Sequence, residues 1–138
     1  ATHWDEGDSQ TKITVERQSS RPDFAILIYP VITLDGPHAH QGSRQNLLGK
    51  SPTAELVRRF CNDQQVNAKT PPTFLAHALD DKPVPPENSR LFYTALQKHQ
   101  VPSKYLELPS GGHGLNGYQG PMWDAWQKQS LEWLEKLP

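Results

Sequence analysis

The chain has 138 residues, of which 35% are hydrophobic, with a formal net charge of -1 and a pI near 6.7. This size fits one small domain or part of a larger one, and the near-neutral balance argues against a nucleic-acid or anionic-membrane partner. No apolar run approaches a membrane span, and a lone Cys61 has no partner for an internal disulfide.

Residues 1–20 are polar, with Trp4 the only large apolar side chain before Ile13 and Val15, and 5–9 reads as a helix exit or loop. After Arg21-Pro22-Asp23, the run Phe24-Ala25-Ile26-Leu27-Ile28-Tyr29 ends at Pro30. A short continuous apolar run bounded by prolines predicts a strand buried on both faces, which means a parallel sheet covered by helices. Between Thr33 and Lys50 no periodicity is visible, and Gly36-Pro37 and Gly42 interrupt it. Ser51 as N-cap, Pro52 at the first position and Glu55 in the first turn predict a helix start, with Leu56, Val57 and Phe60 as its apolar side. Cys61 continues that helix, where an inert packed thiol is expected.

Pro71-Pro72 closes the next loop, and Thr73 to Leu79 forms the second strand. Glu87 to His99 is the clearest amphipathic helix, with Leu91, Phe92, Ala95 and Leu96 on one face and Val101-Pro102 as its stop. The third strand runs from Lys104 to Leu108, and a final helix from Pro121 to Leu137 turns Met122, Trp123, Trp126, Leu134 and Leu137 toward a core. The 13 prolines sit beside strands and turns as loop stiffeners, not in a low-complexity tract. Strands alternating with helices predict an α/β fold: three parallel strands with flanking helices and right-handed crossovers.

In open parallel sheets the chemistry gathers beyond the carboxyl ends of the strands. Two loops there carry reactive residues: His77-Ala78-Leu79-Asp80-Asp81-Lys82-Pro83-Val84-Pro85 after the second strand, and Ser110-Gly111-Gly112-His113-Gly114 after the third. A histidine in a glycine loop suits a general base with a pKa near neutrality, and a carboxylate on its other nitrogen would fix its tautomer. On placement alone Asp80 and Asp81 are equivalent partners for His113.

These loops, with Ser43 to Gly49 and Pro71 to Ser89, resemble the C-terminal half of an α/β-hydrolase over roughly residues 22–137. The resemblance is narrower to the bacterial esterase/lipase-like group that includes acetyl xylan esterases and prolyl-oligopeptidase relatives. In that group the acid follows the penultimate strand as Asp-x-x-Val-Pro, with a serine eight residues beyond it. Asp81-Lys82-Pro83-Val84-Pro85 and Ser89 match that spacing and Asp80 does not, so the resemblance assigns Asp81 as catalytic acid and His113 as catalytic base. It implies a serine hydrolase of carboxylic esters, such as acetyl or feruloyl groups on plant polysaccharide, with no metal or organic cofactor. The expected partner is a small-molecule or carbohydrate ester, not nucleic acid or membrane.

One part of the family pattern is missing. No Gly-x-Ser-x-Gly nucleophile elbow occurs; Gly42-Ser43-Arg44-Gln45-Asn46 lacks the second glycine and a preceding strand. The upstream His-Gly-Gly loop is missing too. Ala1-Thr2-His3-Trp4 matches the tail of the helix that the elbow opens, which would put the serine about ten residues before Ala1. The 138 residues then read as one partial α/β-hydrolase domain, a C-terminal fragment without its nucleophile-bearing half. Without a neighbouring nucleophile strand, Phe24–Tyr29 is expected to be an apolar edge, open to self-association or to an N-terminal fragment.

Other candidates read more plainly. His38-Ala39-His40 lacks a spaced carboxylate or cysteine and is expected to be a solvated loop, not a metal site. His77 lies inside a strand as a packed or hydrogen-bonded residue. Helical spacing makes Trp123 and Trp126 core residues, and Trp133 is off that stripe. Two function classes follow: a serine hydrolase, with prolyl-peptidase-like activity as the nearest enzymatic rival, or a non-catalytic partial hydrolase domain that binds through its sheet edge. The chain begins without Met, so its compartment is not read from it.

Overall fold

The computed structural model describes residues 2–4 and 10–137. Three parallel strands, β1 (Ala25–Ile28), β2 (Thr73–Ala78) and β3 (Ser103–Leu108), form a sheet in the order β1-β2-β3. The register aligns Leu27 with Leu75, and Leu75 with Tyr105. All six residues of β2 are buried, as expected for a central strand covered on both faces.

The period-2 alternation of β2 divides the core between the two faces. Leu75 packs in one cluster with Ile32, Val66, Val101 and the buried side of α3 (Glu87–Lys98), Phe92 and Leu96. Phe74, Ala76 and Ala78 pack on the opposite face with Leu108 and Leu115, beneath Met122, Trp123, Trp126 and Trp133 of α4 (Pro121–Leu134). The expected core role of Trp123 and Trp126 is met, and Trp133 joins them, its ring centroid 5.9 Å from that of Phe74. The result is a helix–sheet–helix sandwich, with α3 on one face and α4 on the other.

The strand and helix assignments hold to within a few residues, and the differences have local causes. α1 (Gln41–Leu48) forms where no periodicity was visible, because it has no fully buried residue and therefore needs no apolar stripe. His40 caps it, its Nδ1 accepting from the Ser43 N–H at 3.2 Å. α2 (Ala54–Arg59) starts later than Ser51-Pro52 suggests, because Thr53 is the N-cap, accepting from the Leu56 N–H at 3.2 Å. Cys61 is not helical: it lies between α2 and a short 3-10 turn, Asn62–Gln65. It is fully buried, and its sulfur accepts from the Leu34 N–H. Near the start, Thr2–Trp4 is not helical, whereas Ala1 and the helix exit or loop expected at 5–9 lie outside the described residues. No described helix is long and apolar enough to cross a membrane.

Candidate active site

Beyond the end of β2 the chain turns back at once, the Asp81 N–H reaching the Ala78 carbonyl at 3.3 Å. This turn leaves Asp80 exposed and points the Asp81 carboxylate inward, where its side chain is fully buried. Oδ1 of Asp81 accepts from the Val84 N–H at 3.0 Å, so the Pro83-Val84-Pro85 turn wraps around the carboxylate. Oδ2 accepts from two imidazoles, His113 Nδ1 at 2.8 Å and His77 Nε2 at 3.2 Å. A buried carboxylate survives only if its oxygens are satisfied, and three N–H donors do that here.

His113 is set against Asp81 by the loop after β3. Gly111 has φ +129, and a Cβ there would come within 3.2 Å of the Leu115 Cα, so the loop folds this tightly only with glycine. Past His113 the backbone is left-handed from Gly114 (φ +94) through Leu115 (+48), Asn116 (+61) and Gly117 (+71) to Tyr118 (+66). Left-handed backbone costs roughly 1–2 kcal/mol for each residue that carries a Cβ. Fully buried Leu115 anchors this turn in the core below α4. Asp80 ties the two loops together, its Oδ1 accepting from the Gly112 N–H at 2.8 Å. That backbone donor, with a smaller contribution from Gly111, holds the Asp80 carboxyl below the usual carboxylate range. The two adjacent carboxylates therefore divide the work: Asp81 holds the histidine and Asp80 holds its loop.

With Nδ1–H donated to Asp81, the Nε2 lone pair of His113 is available to take a proton, and the side chain is 39% exposed. One flank of the ring meets Tyr29 edge-on, with centroids 4.7 Å apart. Tyr29 directly follows β1 with φ +41, a strained value for a residue with a side chain. Burial, and then the neighbouring Tyr118 hydroxyl, push the Tyr29 phenol up. Tyr29 was not legible as a site residue, because only the parallel register of β1 and β2 brings its end of the sheet beside His113.

His38 and His40 do not come together on a metal: His40 caps α1, and no group of three or more His, Cys, Asp or Glu among the described residues is placed to hold one. Ser43 lies in the first turn of α1, not at a strand-to-helix elbow. Two clefts of about 440 and 450 Å³, beside α3 and α1 respectively, are lined by neither Asp81 nor His113.

The sequence pattern of the prolyl oligopeptidase family matches residues 17–137. The chain belongs to that family. Among its members' relatives, it is 41% identical over 108 residues to endo-1,4-beta-xylanase B of Butyrivibrio fibrisolvens, covering 78% of this chain and 17% of that protein. It is 32% identical over 133 residues to the acetylxylan esterase of Xylanibacter ruminicola, covering 91% of this chain and 27% of that one. The fold superposes on the acetyl ester-xyloside bifunctional hydrolase of Caldicellulosiruptor lactoaceticus with a TM-score of 0.90 and 45% identity, covering 97% of this chain and 49% of the other. The three strands and their helices are thus part of an α/β-hydrolase fold, and this prolyl oligopeptidase family chain spans less than half the length of each of these three proteins.

Proposed function

We propose that the chain supplies the acid and base of a serine hydrolase that cleaves carboxylic esters, with acetyl esters of carbohydrate as the substrate class. The observation that carries this reading is the 2.8 Å contact between His113 Nδ1 and the buried Oδ2 of Asp81. His113 Nε2 takes the proton of a serine hydroxyl as that oxygen attacks the ester carbonyl, then returns it to the leaving alcohol. Asp81 keeps the imidazole in the Nδ1–H tautomer and stabilises the imidazolium that forms between these steps. Resemblance to an acetylxylan esterase and to an acetyl ester-xyloside hydrolase supports the acyl and carbohydrate parts of the reading.

No Gly-x-Ser-x-Gly occurs in the 138 residues, so the nucleophile and oxyanion donors belong, in this reading, to sequence outside them. The same protein would bring a strand to the open edge of β1; a second copy is the alternative occupant of that edge. The 138-residue chain by itself is expected to hydrolyse p-nitrophenyl acetate only at a background rate, unchanged by Asp81→Asn or His113→Ala. In a protein carrying the upstream serine elbow, each substitution is expected to lower kcat about 10,000-fold. Turnover by the short chain that drops with either substitution would overturn the external nucleophile. A serine-bearing protein indifferent to both would overturn the roles of Asp81 and His113. The family name favours a second reading, peptide cleavage after proline. A proline-linked peptide p-nitroanilide distinguishes it, and is expected to be turned over far more slowly than the acetyl ester.

A further inference from the structure

The Asp81 oxygen that receives His113 also receives His77, and His77 is fully buried. The parity of β2 points residue 77 toward α3, and there its Nδ1 lies 2.8 Å from the hydroxyl of Ser89, which is also fully buried. Its Nε2 lies 2.9 Å from the Val84 carbonyl. A carbonyl only accepts, so Nε2 carries the hydrogen, shared between Val84 and Asp81. In a neutral ring Nδ1 is then an acceptor, and the Ser89 O–H donates to it. The opposite tautomer would aim the Nε2 lone pair at two acceptor oxygens, with no donor between them.

We propose that Ser89 and His77 are positioning residues for the Asp81–His113 pair: Ser89 fixes the His77 tautomer, and His77 fixes the oxygen that orients His113. The inference rests on the hydrolase reading and adds two members to its site. Serine, histidine and aspartate also compose a catalytic triad, but Ser89 and His77 have no exposed surface and cannot meet substrate. Their effect passes through Asp81. Burial also drives His77 toward its neutral form, the form this hydrogen-bond direction requires. The arrangement gives a physical reason for a serine eight residues beyond the acid: the first turn of α3 is where a hydroxyl meets the far side of the imidazole.

The test is nitrogen NMR of the histidines in the 15N-labelled chain, which needs no nucleophile and no substrate. In the wild type, His77 is expected as a single Nε2–H tautomer that takes up a second proton only below the usual histidine range. The His113 Nδ1–H should give a proton signal that disappears in Asp81→Asn. Ser89→Ala, which removes one hydroxyl, is expected to mix the His77 tautomers and shift or broaden that His113 signal. His77→Gln keeps a donor near the Nε2 position and is expected to retain the His113 signal, whereas His77→Leu loses it. An Nδ1–H tautomer of His77 in the wild type overturns the proposal without any variant. So does a folded Ser89→Ala that leaves both histidines unchanged, or equal His113 signals in the Gln and Leu variants. A His113 signal indifferent to Asp81→Asn overturns the hydrolase reading and this inference with it; the other failures leave the hydrolase reading standing.

Discussion

Asp63 carries a carboxylate whose surroundings work against its charge. Its Oδ1 is buried with no hydrogen-bond partner among the described residues, beside the cleft that Arg90 and Lys98 also line. Burial raises its pKa from the usual 3.8, and a hydrogen bond from its own backbone lowers it by less. The native state therefore holds this proton to higher pH than the unfolded chain does. Between the two pKa values the unfolded chain binds fewer protons, so stability falls as pH rises through that window, and the loss is complete above it. Asp63→Asn is expected to unfold at higher temperature than the wild type at pH 7, with the difference closing as pH falls toward 3.8. Calorimetry of both proteins across that range checks it, and a constant difference would mean the charge is not the cause. His77 has the opposite sign: its lowered pKa makes stability fall as pH drops below 6.5, because the unfolded chain takes up the proton first.

Among the elements, α3 joins the site to the core. Phe92 and Leu96 bury its apolar side, while Ser89 and Asn88, both fully buried, occupy its first turn. Asn88 uses both ends of its amide. Oδ1 accepts from the Ile32 and Thr33 N–H groups at 2.9 and 3.0 Å, and Nδ2 donates to the His38 and Pro85 carbonyls at 2.9 and 3.1 Å. One side chain thereby pins the loop after β1 to the turn after the catalytic-acid candidate. Asn88→Ala leaves buried backbone groups unpaired and is expected to lower the unfolding free energy by about 3 kcal/mol. Thr53→Ala, which removes the exposed cap of α2, should lower it by only about 1 kcal/mol. Urea denaturation of the two variants orders them, and equal losses would contradict the role given to Asn88. The apolar periodicity of α3 and the continuous run of β2 were legible because burial imposes a pattern on sequence. α1 has no fully buried residue, only Leu48 resting against the core, and left no pattern. The left-handed turn at Leu115–Tyr118 was illegible for another reason: tertiary anchoring of Leu115 overrides the preference of Leu, Asn and Tyr for right-handed backbone. Likewise, the loop placement of Asp81 and His113 could be read from strand ends, but the grip of His77 on Asp81 depends on three-dimensional parity.

At the scale of the whole molecule, the two edges of the sheet differ. β3 carries Lys104 and Glu107, charges of the kind that discourage pairing with another chain. β1 is Ala-Ile-Leu-Ile with no charge at all, its residues are only half-buried, and exposed Phe24 precedes it. In a parallel ladder alternate residues bond to the same neighbour. The Ala25 and Tyr29 N–H groups reach the Pro72 and Ala76 carbonyls of the β2 side at 2.8 Å, so Ile26 and Ile28 direct their backbone groups to the open edge. Among the described residues nothing pairs with these groups, and an apolar, uncharged row of open donors and acceptors is a template for strand addition. Without an added strand from a longer protein, the 138-residue chain is expected to self-associate in a concentration-dependent way, measured by sedimentation velocity over the micromolar range. Ile26→Pro removes one outward N–H without touching a bond to β2, a position where a strand tolerates proline. It should leave the chain folded and monomeric. A wild type that stays monomeric, or an Ile26→Pro variant that associates as strongly as the wild type, would remove β1 as a surface for strand addition.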